Sequence, residues 1–232
     1  MALINDFLSL IYPRHCEACT NQLFRHETFI CNACKLNLPK SNYHRQADNE
    51  LARVFAGRVP LVNAGAFYTY EKKARVQNLL HAIKYKGQKE LGEFLGNLYA
   101  NDLVNDSAFS DVDVVVPIPL HEKKLRKRGY NQSEWFAKGI ASGLGKPLKS
   151  SLLVRTKETS TQTRKKKYER WENVEGIFSV VSPQENTNNH VLLVDDVITT
   201  GATIEAACVP LLQIEGIRIS VTSIAFAARS YA

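Results

Sequence analysis

A chain of 232 residues with 44% apolar content and 30 basic against 23 acidic side chains, net charge +7, can bury an ordinary core. No stretch approaches the roughly 18 uninterrupted apolar residues of a membrane span, so membrane insertion is excluded, and "MALINDFLSLIYPRH" lacks the basic start and cleavage site of a signal peptide. The expected location is the cytoplasm, and the basic balance points to phosphates or nucleic acid as ligands without specifying a fold.

First in chain order come Cys16, Cys19, Cys31 and Cys34, two CxxC knuckles separated by eleven residues. Each knuckle supplies two thiolates from one tight turn, and four thiolates suit the closed tetrahedral shell of a structural zinc ion. Such a shell leaves no position for a catalytic water. The alternatives are four reduced thiols in a small core, or a redox pair; redox CxxC motifs usually come singly at a helix start after a strand. His15, His26 and His44 read as surface residues rather than ligands. Cys208, alone within "TIEAACVPLL", reads as a core thiol.

Residues 1–44 are thus expected to form a zinc-ribbon-like domain, 45–60 a partly helical linker ending near Gly57 and Pro60, and 61–232 the main domain. In the latter, "LVNAGAFYTYE" has strand composition, and two helices separated near Gly87 follow in "KKARVQNLLHAIKYKGQKELGEFLGNLYANDL". "DVDVVVPIPLH" is an apolar strand stopped by prolines, and "NQSEWFAKGIASGLGKPL" an amphipathic helix ending in glycine. "VLLVDDV" and "GIRISVTSIAFAA" are buried strands around the helix "GATIEAACVPLLQIEG". Apolar strands alternating with helices indicate an α/β fold with a parallel sheet covered on both faces, whose ligands bind beyond the carboxyl ends of the strands.

Two features collect at those ends. "HEKKLRKRGY" and "RTKETSTQTRKKKYER" are basic runs, each also readable as a solvated surface. In "VLLVDDVITTGAT", Asp195 and Asp196 end a strand, and the following turn offers backbone amides at a helix start, the hydroxyls of Thr199, Thr200 and Thr203, and the bare backbone of Gly201. Carboxylates beside a phosphate cradle must face something other than phosphate. A ribose phosphate meets both demands, its hydroxyls bonding the acids while magnesium screens the remaining charge.

"VLLVDDVITTGAT" resembles along its whole length the phosphoribosyl pyrophosphate (PRPP) motif of type I phosphoribosyltransferases. "PIPLHEKKLRKRGYNQ", "RTKETSTQTRKKKYERWENVEGIF", "LLHAIKYKG" and the four-cysteine start are similar to the ComF family of competence-associated proteins and its GntX relatives, covering nearly the whole chain. The resemblance implies a type I phosphoribosyltransferase fold preceded by a zinc ribbon. It implies catalytic Asp195 and Asp196, PRPP bound by Thr199, Thr200, Gly201, Ala202 and Thr203, and pyrophosphate bound by Pro117, Ile118, Pro119, Leu120 and His121 with Arg126 and Arg128. Arg155, Gln162, Arg164 and Lys165 would belong to a loop that closes over the reacting centre. Lys84, Tyr85 and Lys86 fall where relatives carry the acceptor hood, or are simply the solvated face of a helix.

The activity implied is magnesium-dependent transfer of phosphoribosyl to an unidentified acceptor with release of pyrophosphate. The alternative is a non-catalytic PRPP sensor that binds single-stranded DNA in natural transformation, its zinc knot docking a competence helicase or DNA; Tyr130, Trp135, Tyr168 and Trp171 lie near the basic runs as candidate stacking residues, each equally readable as core. Glutamine-dependent relatives carry an amino-terminal cysteine, whereas here Met1 is followed by Ala2, so ammonia transfer from glutamine is not expected. A regulator that has lost catalysis would usually add a helix-turn-helix module, which the cysteine-rich start does not resemble.

Overall fold

The computed structural model describes residues 13–71, 74–105, 107–156 and 176–228. In chain order the elements are α1 (Asn32–Asn37), α2 (Glu50–Phe55), β1 (Tyr68–Thr69), α3 (Arg75–Tyr85), α4 (Lys89–Val104), β2 (Val114–Pro117), α5 (Glu122–Arg128), α6 (Gln132–Leu144), β3 (Leu153–Arg155), β4 (Phe178–Val180), β5 (His190–Ile198), α7 (Ala202–Leu211) and β6 (Arg218–Phe226). Four strands form one parallel sheet in the order β1-β6-β5-β2, and β3 pairs antiparallel with β4.

The predicted parallel sheet is there, with both faces covered. Alternate residues of β5 divide between two apolar cores, since neighbouring side chains on a strand point opposite ways. Leu192 and Val194 pack with α3, α4 and α6, and Val191 and Leu193 pack with α2, α7 and the β3–β4 pair. α4 and α6 approach until backbones touch: a Cβ on Gly96 would come within 2.9 Å of the Cα of Gly139, so neither position has room for a side chain.

Two features depart from the sequence reading, and the helix expected in the connecting segment is there. The strand expected over "LVNAGAFYTYE" is reduced to Tyr68–Thr69. Before it, the amides of Val62, Gly65 and Phe67 donate to the carbonyls of Ile219, Val221 and Ser223, so an extra residue between Val62 and Gly65 breaks the ladder much as a bulge does. The connecting segment carries α2, whose Leu51 and Phe55 are buried against the sheet. The β3–β4 pair had no periodic signal, each strand being three residues long.

Candidate functional site

β5 delivers the two acids to the carboxyl edge of the sheet, where each meets a different helix. Asp196 lies on the parity of Leu192 and Val194, toward α3, and its Oδ2 is 2.8 Å from Lys84 Nζ. Both side chains are largely screened from water, 17% and 22% exposed, so the pair is more than a surface contact. Asp195 lies on the opposite parity, and its Oδ1 accepts hydrogen bonds from Ser133 Oγ at 3.0 Å and from the Asp196 amide at 2.8 Å. Burial, then the neighbouring charge of Asp196, pushes the Asp195 carboxyl up to about 7, against the two hydrogen bonds and the charge of Lys84. Arg155, at the end of β3, adds a positive charge that Asp195 feels; its own affinity for a proton is lowered by burial.

The turn after β5 is a shallow cradle lined by Asp195, Val197, Ile198 and residues 199–204. Gly201 has φ +75°, and a Cβ there would meet Phe55 Cε1 at 2.6 Å. Glycine is therefore required twice over, by conformation and by the packing of α2. Arg58 Nη1 donates to the Thr200 carbonyl at 2.9 Å while Nη2 pairs with Glu205 on α7, tying both sides of the turn to the segment after α2. Ala202 and Thr203 are exposed at the start of α7, where amides and helix dipole favour an anion.

The loop after β2 has fewer amides for pyrophosphate than its length promises. Pro117 and Pro119 have no N–H, and the Ile118 amide donates to Val194 O at 2.8 Å within the sheet. That leaves Leu120 and His121, the His121 ring capping α5 through the Lys123 amide. Arg126 pairs with Glu122 on the exposed face of α5. Arg128 turns inward, donating to Gln132 Oε1 at 2.8 Å with its guanidinium over the Tyr85 ring. Gln162, Arg164 and Lys165, like Tyr168 and Trp171, lie outside the described residues.

At the other end of the chain, the sulfurs of Cys16, Cys19, Cys31 and Cys34 lie within 4.8 Å of one another. Around zinc, with Zn–S bonds of about 2.3 Å, tetrahedral sulfurs sit about 3.8 Å apart; those of Cys19 and Cys31 are 3.7 Å apart. Amides of Cys31 and Cys34 donate to the sulfurs of Cys16 and Cys31, as thiolate acceptors require. Burial pushes the Cys16 thiol up, but amide hydrogen bonds, that of Cys31 foremost, bring it down to about 7; burial raises Cys31, and raises Cys34 much further. Without a cation the four cannot all ionise, and the set fits zinc. His15 and His26 are exposed as expected, whereas His44 is buried against the Tyr99 ring. Cys208 is a core thiol, its proton affinity raised to about 12 by burial.

Sequence reasoning missed Ser133, Arg58 and Phe55. The first stands two residues inside a legible helix start, Asn131 being its N-cap, while the other two carry no local signal.

A parallel sheet with an acidic strand end and an amide cradle defines a domain of the phosphoribosyltransferase class, and the family description "Phosphoribosyl transferase domain" matches residues 131–231. Competence protein ComFC of Bacillus subtilis is 30% identical over 214 residues, 90% of this chain and 81% of that protein. The chain belongs to the ComF family. DNA utilization protein YhgH of Salmonella typhimurium is 28% identical over 138 residues, 58% of this chain; that match spans 60% of the relative's length. Among solved structures, an allosteric regulatory enzyme of purine biosynthesis matches 58% of this chain and 25% of its own at 20% identity, with a TM-score of 0.37. No described helix is long and apolar enough to cross a membrane.

Proposed function

We propose that the chain binds PRPP at the carboxyl edge of β5 and transfers its phosphoribosyl group to an acceptor, with a structural zinc ion at the four cysteines. The observation that carries this reading is the meeting of an acidic strand end, with one proton held to near neutral pH, and a glycine-containing amide cradle on the next turn. The cradle takes the 5′-phosphate, Asp195 and Asp196 take ribose hydroxyls, and Leu120, His121 and the basic side chains beyond β2 take pyrophosphate. The acids are not a ready-made cation cage, because Lys84 already occupies Asp196. Magnesium would therefore arrive on the pyrophosphate, where its charge stabilises the leaving group. The carboxylates favour the positive charge that grows on the sugar as the anomeric bond breaks.

Isothermal titration with PRPP and magnesium tests the binding half: Asp195→Asn and Asp196→Asn should each abolish magnesium-dependent binding in folded protein, and retained affinity would sink the reading. Tracing labelled pyrophosphate across a panel of bases and amines tests the transfer half.

A second reading, a PRPP-binding protein that handles single-stranded DNA without turnover, has its own support. α5 is basic with no buried residue, and beside it Trp135 is flanked by Lys89 and Lys138 at 4.7 and 4.8 Å from its ring, the mixture of cation and aromatic that strands use. Relatives named for competence and DNA utilization agree with it. Here PRPP binds without pyrophosphate release, and DNA affinity falls steeply with salt and in Trp135→Ala.

A further inference from the structure

The cysteine knot and the acidic pair lie far apart in sequence, yet one helix touches both. α3 buries Val76, Leu79, Leu80 and Ile83 in the same apolar core that contains Cys16, Ala18, Cys31 and Cys34. It is also gripped by polar contacts to the first knuckle, the turn from Cys16 to Cys19. Asn78 Nδ2 donates to the Ala18 carbonyl at 2.8 Å, and Lys86 Nζ lies 3.3 Å from Glu17 Oε2. Between these two anchors stands Lys84, whose Nζ reaches Asp196.

We propose that the metal-loaded knuckle positions α3, and that α3 thereby holds Lys84 on Asp196, making Lys84 a positioning residue for the acidic pair and the knot a determinant of its geometry. The knuckle carbonyl that receives Asn78 lies between two metal ligands, so binding both thiolates to one ion tightens a turn otherwise held by backbone hydrogen bonds such as Thr20 N–H to Cys16 O. Thiols released from the ion loosen that turn, and α3 loses part of the core it shares with the knuckle and the grip of its polar contacts. Lys84 then exchanges a screened carboxylate for water, the usual alternative for an ammonium on a long flexible stem. Asp196 is left without a cation beside its neighbour Asp195, a less definite seat for ribose hydroxyls. The last consequence rests on the PRPP reading; the link from knuckle to Lys84 does not.

The test is lysine acetylation of the zinc-loaded full chain, followed peptide by peptide. Lys84 should react several-fold more slowly than the exposed Lys35, and Asp196→Asn should remove that protection. Chelating the zinc should release Lys84 as well. Because the chelated chain can lose structure more widely, the Asn78→Ala/Glu17→Gln double variant, with zinc content and circular dichroism unchanged, is the deciding sample, and it too should release Lys84. Protection that persists in the double variant, or that Asp196→Asn leaves intact, overturns the proposal. In PRPP titrations the double variant should bind about fivefold more weakly, and that difference should vanish in a Lys84→Met background. A wild-type chain that does not bind PRPP would defeat the functional reading while the acetylation result still decides the link.

Discussion

The two ends of β5 make an instructive pair. At its amino end His190 is fully buried, with Nδ1 2.9 Å from Asp111 Oδ1 and Nε2 2.8 Å from Ser220 Oγ, while its amide donates to Asp113. The order Ser–His–Asp is that of a hydrolase nucleophile. Yet the Ser220 oxygen is inaccessible and also accepts the Asn63 amide, and Asp111 is held down by Arg218 and His190 against the effect of its partial burial. Every charge there is answered, and the cluster clamps the strands. At the carboxyl end, two carboxylates share a strand end with one lysine, and one of them keeps its proton to about 7. Electrostatic conflict left unresolved, more than familiar geometry, marks a candidate site.

Four substitutions test that contrast. His190→Ala should have the largest effect, costing about 2–4 kcal/mol in urea denaturation because it opens a cavity and strips partners from Ser220 and Asp111, while PRPP affinity of the folded protein stays unchanged. Loss of binding before loss of fold would break the comparison. Gly201→Ala should cost about 1–3 kcal/mol, by overpacking against Phe55 and by its positive φ, and should weaken phosphate binding at the same time. Asp195→Asn should do the opposite to stability. The wild-type carboxyl binds its proton more tightly folded than unfolded, so its contribution is fully present below the ordinary carboxylate range and is lost as pH rises through about 7. The variant should therefore melt higher than wild type at pH 8, with the gap closing near pH 4, as calorimetry across that range would record. Smallest, Ser133→Ala removes a hydrogen bond worth about 1 kcal/mol from the ionised acid. It should raise the Asp195 proton affinity further and weaken PRPP binding about fivefold, moving the pH profile upward.

Much of this was legible in the chain. The parallel sheet followed from uninterrupted apolar strands, and the cysteine cluster from spacing alone. The cradle at Thr199 to Thr203 was legible because amides, hydroxyls and glycine are consecutive. What stayed hidden depends on contacts between distant residues: Lys84 with Asp196, Ser133 with Asp195, Arg58 with Thr200, and Phe55 beneath Gly201. Local pattern is silent on partners brought together by packing. The Ile118 amide in the β2 loop belongs with these, since its acceptor is Val194 O on a neighbouring strand.

The apolar core shared by the cysteine knuckles and α3 bears on modularity. A chain cut to begin at Leu61 would not be a smaller transferase-like protein but one whose core around α3 is opened where Cys16, Ala18, Leu23, Ile30 and Leu38 had been. Heat should accordingly melt knot and sheet together in one transition, and any swap of the amino-terminal segment between relatives would have to carry α3 with it.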